Sequence, residues 1–233
     1  MAPADGGDMR WHLGAIAVAL AGLLPAGAGA QEFPPPEEAM RLLDGQPARS
    51  TRFPIGVTFG YGLPSGSIEK GLKLGDVFES VRTVRLDAGL AGKVLGASLY
   101  YRHGFPTLGD RWCAPPASCS GSFRSYGVAA QVSVAPRETK VSPVLAIGLG
   151  LAEGEVEPGG GAFQRVTAWE VLSSFAVMWR LGDGSSPWRA GASLAVHAMI
   201  PDEYETPAGK ATVPPETMGT PIWWELGLRA SFD

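Results

Sequence analysis

Eight stretches of alternating apolar and polar residues occupy the chain after residue 50, and the gaps between them run long, short, long, short, long, short, long. The last stretch shows the pattern: Ile222, Trp224, Leu226, Leu228, Ala230 and Phe232 share one parity, and Trp223, Glu225, Gly227, Arg229 and Ser231 the other. A strand points successive side chains to opposite faces, so each stretch predicts one apolar face and one face of charge, hydroxyl and glycine. No segment after residue 50 is a long unbroken apolar run, so no transmembrane helix is expected there. The chain is therefore expected to be all-β, an eight-stranded antiparallel up-and-down transmembrane β-barrel, apolar outside and polar inside.

The expected strands cover residues 53–61, 80–90, 95–102, 126–134, 141–151, 167–181, 188–198 and 222–232. Connections after the second, fourth and sixth are a few residues each. Those after the first, third, fifth and seventh span about Gly62 to Glu79, Gly104 to Arg124, Ala152 to Ala162 and Pro201 to Pro221. Short periplasmic turns, long external loops and both ends of the barrel sequence on the periplasmic side give this alternation, whereas a soluble lipocalin-like barrel has no reason to gather every long loop at one end.

The aromatic residues of lipid-facing parity fall into two groups. Phe53, Trp179, Trp188 and Phe232 lie near the short-turn end, and Tyr61, Tyr101, Tyr126, Trp169 and Trp224 near the long-loop end. Amphipathic rings favour the headgroup region, so these are expected to form two belts. Eight steps separate Phe53 from Tyr61, a rise of roughly 20 Å at ~3.3 Å per residue and a tilt of ~40–45°, close to the ~25 Å apolar band.

Export is written at the start. Arg10 precedes an uncharged stretch whose apolar centre runs from Leu13 to Leu24, and Ala28, Gly29 and Ala30 supply the small residues a signal peptidase needs before Gln31. Pro25 and the glycines break the apolar run short of the ~20 residues that a membrane-spanning helix needs. Asp5 and Asp8 sit awkwardly ahead of Arg10, so Met9 is a cleaner start than Met1. The expected division is residues 1–30 as signal peptide, 31–51 as a Pro-rich periplasmic leader, and 52–233 as the barrel.

The formal net charge of −4 leaves no nucleic-acid footprint. Cys113 and Cys119 are the two cysteines; in an exported chain a local disulfide is the expectation, the alternative being a metal site that borrows His103. No phosphate loop, zinc-protease motif or nucleotide fingerprint is present, and no cofactor is expected.

Inward parity collects charge. Glu170, His197 and Glu225 come from three consecutive strands towards the long-loop end; Arg180, Arg189 and Arg229 come from the same strands towards the short-turn end, with Arg85 and Asp87 from the second strand. Eight strands enclose a lumen that side chains fill, and buried charges must be paired, so a salt-bridge plug is expected. A narrow gated ion path and a catalytic Glu/His/Glu group are the alternatives. Outside the barrel, Glu153, Glu155 and Glu157, with Asp202, Glu203, Glu205 and Glu216 against Lys210, form either a solvated acidic rim or a cation bridge to lipopolysaccharide phosphates. The second loop, with Trp112 in it beside Cys113, is either a rigid protease-resistant tip or an adhesion surface.

From Phe53 to Asp233 the chain resembles small eight-stranded outer-membrane barrels of the OmpA/OmpX class, in pattern and topology rather than by a motif. The resemblance implies a monomer in the bacterial outer membrane, in contact with its lipid and lipopolysaccharide and inserted by the barrel assembly machinery. That machinery reads a terminal aromatic, and Phe232 keeps the right parity although Asp233 follows it. Enzymes of this class include a lipid A deacylase with His and Ser two residues apart on a lipid-facing strand. Here Met199 stands two residues after His197, and His197 has inward parity, so no enzyme is expected. The implied role is structural or loop-mediated interaction; a narrow channel or small-solute carrier is the alternative.

Overall fold

The computed structural model describes residues 51–69, 72–109, 113, 119–134, 139–157, 164–182, 186–212 and 219–232. The expected signal peptide, nearly all of the leader, Trp112, Glu216 and Asp233 lie outside them.

Eight strands close into an antiparallel barrel: β1 (Ile55–Ser65), β4 (Phe78–Ala91), β5 (Leu95–Leu108), β6 (Ser120–Ser133), β7 (Val141–Glu157), β8 (Gln164–Arg180), β9 (Trp188–Thr206) and β11 (Ile222–Phe232). Each pairs with the next, and β11 returns to β1 through a register that runs from Ile55 opposite Phe232 to Ser65 opposite Ile222. Closure leaves no long unpaired edge, which a bilayer would not tolerate. Between β1 and β4 lie β2 (Ser67–Glu69), β3 (Leu72–Lys73) and the one-turn α1 (Leu74–Val77); β10 (Gly209–Thr212) pairs back onto the end of β9.

Over the middle of the strands the apolar parity faces out. Ile55, Phe59, Leu99, Val128, Ile147, Leu149, Leu226 and Leu228 are all more than half exposed, far too much large apolar surface for water. The opposite parity is buried and polar: Thr58, Arg85, Asp87, Ser98, Gln131, Ser142 and Ser231.

At the long-loop end the strands run well past the expected limits. Residues expected in loops, including 62–65, 104–108, 120–124, 152–157 and 201–206, belong to β1, β5, β6, β7 and β9. The reason is an inversion of polarity without a change of parity. On β7, outward Leu149 and Leu151 give way to outward Glu153 and Glu155, while inward Gly148 and Gly150 give way to Ala152 and Val156. On β8, outward Trp169 is followed upward by Thr167 and Arg165, and inward Glu170 by Ala168 and Val166. Here the barrel is a water-facing wall with an apolar inside, so the outward-apolar rule stops identifying strands that continue.

On β9 a bulge opposite Thr167 and Ala168 adds one residue. Pro201, which has no N–H to give to a ladder, sits at it. Unbulged alternation from His197 and Met199 would send Glu203 and Glu205 inward. The extra residue instead sets Glu205 opposite Arg165 and Tyr204 opposite Val166.

The first long connection folds over this end as a lid. The Leu74 N–H donates to the Gly66 carbonyl (3.1 Å), Gly109 N–H to Val77 (2.9 Å) and Gly219 N–H to Ile68 (2.9 Å), so the lid is tied to neighbouring connections on both sides. Gly66 has a φ of 76°, and a Cβ there would stand 2.3 Å from the Thr220 carbonyl oxygen. Gly66→Ala is expected to cost about 1–3 kcal/mol locally, read as earlier proteolytic cutting of the lid while the barrel stays intact.

Candidate functional site

The interior has three levels. Towards the short turns, Asp87 accepts from Arg85 (Nε to Oδ1, 3.0 Å), and Arg229 Nη2 lies 3.8 Å from Asp87 Oδ2. Arg189 is buried nearby and Arg180 half-buried at the turn end. Gln131 donates to Ser98 (2.7 Å). The space left among Asp87, Gln131, Arg189, Arg229 and their neighbours is about 30 Å³, room for a few waters.

Above it lies a buried charged layer from five strands. Arg102 of β5 donates through Nη2 to Glu170 Oε1 on β8 (2.8 Å) and through Nη1 to Glu225 Oε2 on β11 (3.4 Å). His197 of β9 stands between the same carboxylates, Nδ1 2.8 Å from Glu170 Oε1 and Nε2 3.7 Å from Glu225 Oε2. Tyr100 gives its hydroxyl hydrogen to Glu170 (2.9 Å) and Thr83 to Glu225 (2.8 Å). Arg102, Glu170, His197, Glu225 and Tyr100 are each no more than 3% exposed. Glycines make room: a Cβ on Gly150 would stand 2.5 Å from the Tyr100 hydroxyl, and one on Gly60 2.6 Å from the Glu225 carboxyl carbon.

The structure therefore brings Glu170, His197 and Glu225 together in one layer and Arg85, Asp87 and Arg229 in a lower one. Arg102, Tyr100 and Thr83 complete the upper layer and were not among the expected site residues. All three have inward parity; Arg102 was the one cation on that parity at the glutamates' end, which is the signal that would have found it.

The third level is a cup at the long-loop end, about 500 Å³ in volume. Its floor is Phe123, Ala168, Met199 and Trp223, packed in one apolar cluster with Leu74 of the lid. The Arg102 guanidinium lies against the underside of Phe123, 4.6 Å from the ring centroid, so the floor separates cup from charge. Sequence reading missed the cup because its walls were assigned to loops.

Outside the cup wall, the acidic residues are cross-strand partners rather than an unmatched cluster. Arg124 holds Glu153 (2.8 Å), Arg165 holds Glu155 (3.0 Å) and Glu205 (3.3 Å), and Lys210 holds Glu203 (2.7 Å). The hydrogen-bonded Glu155 carboxylate raises the affinity of Arg165 for its proton, and Glu203 does the same for Lys210. Cys113 and Cys119 are joined in a disulfide, Cα atoms 5.7 Å apart, in the connection between β5 and β6.

The nine belt aromatics all stand on the outer face, between 44% and 70% exposed. Tyr101, Tyr126, Leu151 and Trp169 follow one another as cross-strand partners from β5 to β8. Trp188 and Phe232 meet edge-to-face at the other end, centroids 5.1 Å apart.

Apolar outside over its middle, charged inside and built of eight antiparallel strands, this is a barrel of the outer-membrane type. No protein-family profile matches the chain, and no curated protein matches it in sequence. Among solved structures it is similar to Neisserial surface protein A, NspA, with a TM-score of 0.54 and 14% identity over 78% of this chain and 98% of that one. The attachment invasion locus protein Ail of Yersinia pestis, solved with the heparin analogue sucrose octasulfate, aligns at a TM-score of 0.45 and 14% identity, covering 78% and 99%. A major outer membrane protein from Thermus thermophilus aligns at 0.46 and 12%, covering 76% and 98%. The likeness to NspA is one of fold.

Proposed function

We propose that this chain is an integral, non-enzymatic protein of the bacterial outer membrane, exported by cleavage after Ala30 and monomeric in the bilayer, with a lumen closed by its own charges. Its outer end serves as a surface for interaction. The observation that carries this reading is the stack of the buried Arg102, Glu170, His197, Glu225 layer over a lower lumen whose free space is about 30 Å³. Ions crossing it would have to break buried pairs, each strongly favoured over an uncompensated charge. Lipid and lipopolysaccharide surround the outward apolar face, and the barrel assembly machinery is its route of insertion. Catalysis lacks support: Glu170 and Glu225 are both engaged, and no hydroxyl or thiol nucleophile is placed against His197 among the described contacts.

The expected result is co-fractionation with outer membranes, heat-modifiable migration on gels, and silence in planar bilayers. Lipid A from cells expressing the protein is expected to keep its mass. Steady single-channel current abolished by Glu225→Gln or Arg229→Gln would replace the plug with a gated channel. Release with soluble periplasmic contents would remove the membrane reading altogether.

A further inference from the structure

We infer that the cup at the outer end is a binding site for a small, uncharged, largely hydrocarbon molecule. The inference rests on the closed outer-membrane barrel proposed above and names what its outer end takes.

Size comes first. Ligand sites are clefts of roughly 300–1,000 Å³, and this one is about 500 Å³. The core of a folded domain leaves voids little larger than a water, so this is an unfilled space, not loose packing. At ~30 Å³ for each water-sized group, it accommodates a chain of about ten carbons or a pair of fused rings with room to spare.

The lining sets the chemistry. Phe78, Phe123 and Trp223 supply ring faces and edges, with Trp223 5.5 Å from Phe78 and 6.4 Å from Phe123 between centroids. Val156, Val166 and Met199 add aliphatic wall. Among the described residues, no charged side chain lines the cup, and its few polar groups include Gln164, Tyr204 and Thr206. The charges of this region are turned outward into the pairs of Arg124, Arg165 and Lys210, and those below are sealed under Phe123 and Trp223. An ionised ligand would enter without a counter-charge, which a low-dielectric site penalises heavily. A neutral one loses nothing.

The architecture separates a free solute from a membrane acyl chain. Strands β6 to β9 remain hydrogen-bonded to one another up to Ser120 opposite Glu157, Val156 opposite Gln164, and Arg165 opposite Glu205, so on this side a continuous wall stands between cup and surroundings. The bulge on β9 is part of the device, because it turns Tyr204 in and Glu205 out.

The test uses the full mature protein in lipid nanodiscs, titrated with the neutral fluorophore N-phenyl-1-naphthylamine against empty nanodiscs. Saturable binding is expected, displaced by 1-decanol about tenfold more effectively than by decanoate, the charge penalty being the difference. Two variants read the site. Gly154 lines the cup, and a Cβ built on it meets nothing closer than Phe123 Cδ2 at 3.9 Å, so Gly154→Phe is expected to grow into the cup. It is expected to weaken probe binding by about tenfold or more while leaving heat-modifiable migration unchanged. Val166→Lys puts a cation in the wall and is expected to turn the preference towards decanoate.

Equal binding by wild type and Gly154→Phe, decanoate matching decanol on the wild type, or no saturable binding in nanodiscs would each overturn the inference. The last is the result expected if bilayer acyl chains already hold the cup. A protein that stays silent in bilayers and migrates heat-modifiably but binds no probe loses the cup alone. One that fails to fractionate with membranes loses the proposed function first.

Discussion

Arg102→Met is expected to cost the barrel about 3–5 kcal/mol, the loss typical of removing one partner from a buried ionic cluster. Arg102 is 1% exposed and is the cation shared by Glu170 and Glu225, themselves 1% and 3% exposed. Without it, two carboxylates face each other across His197, with the imidazole and hydroxyls such as those of Tyr100 and Thr83 left to hold them. Methionine fills much of the stem's volume, so the loss is one of charge rather than packing. The same layer neutralised as a whole, Arg102→Met with Glu170→Gln and Glu225→Gln, is expected to recover most of the loss, since removing a complete buried ion cluster is often neutral or stabilising. Urea unfolding of the refolded protein in lipid vesicles, followed by tryptophan fluorescence and gel migration, measures both variants. If Arg102→Met unfolds at the wild-type midpoint, the buried network contributes nothing to holding the lumen shut. If the triple variant is as weak as the single, packing and not charge is what Arg102 supplies.

The membrane-height half of this molecule was legible because one rule governs all eight strands there. Leu226 and Leu228 point to lipid and Glu225 and Arg229 to the lumen by parity alone, and parity survives any error in strand ends. Above the aromatic level the rule reverses. Glu153, Glu155 and Arg165 look like loop residues to a reader who expects outward apolar side chains, yet they decorate continuing strands and pair across them. The bulge at Pro201 hides β9 further, because a one-residue insertion swaps the faces and nothing in the local sequence states its position. The charged layer was half visible: Glu170, His197 and Glu225 share a parity, but which cation joins them depends on the stagger between β5 and β8, strands that are not neighbours. Arg102 is assigned only when the ring is closed. The lid is of the same kind, since Leu74 and Val77 gain their meaning from Phe123, Ala152 and Trp223 far along the chain.

Ile147→Arg is expected to destabilise the protein by about 2–4 kcal/mol in a bilayer, the cost of arginine on the lipid face near the midplane of an outer-membrane barrel. Ile147 is outward and 51% exposed, and it lies on β7 between Val141, opposite Trp179 of the lower belt, and Leu151, opposite Trp169 of the upper one. Its cross-strand neighbours Ala130 and Ser173 are small, so an arginine meets no steric obstacle and the backbone ladder is untouched. In water the same substitution on an exposed strand position would be nearly neutral, within about 0.5 kcal/mol. The size of the effect therefore reports the solvent around residue 147, not the quality of its packing. Glu153→Arg, three outward positions higher on the same strand and beside Arg124, serves as the control. It breaks an exposed pair worth at most about 1 kcal/mol and leaves the insertion depth as it was. Equilibrium unfolding in vesicles should rank Ile147→Arg far below Glu153→Arg. Equal stabilities would mean that the apolar band is not buried in hydrocarbon, and the barrel would have to be covered by protein rather than by lipid.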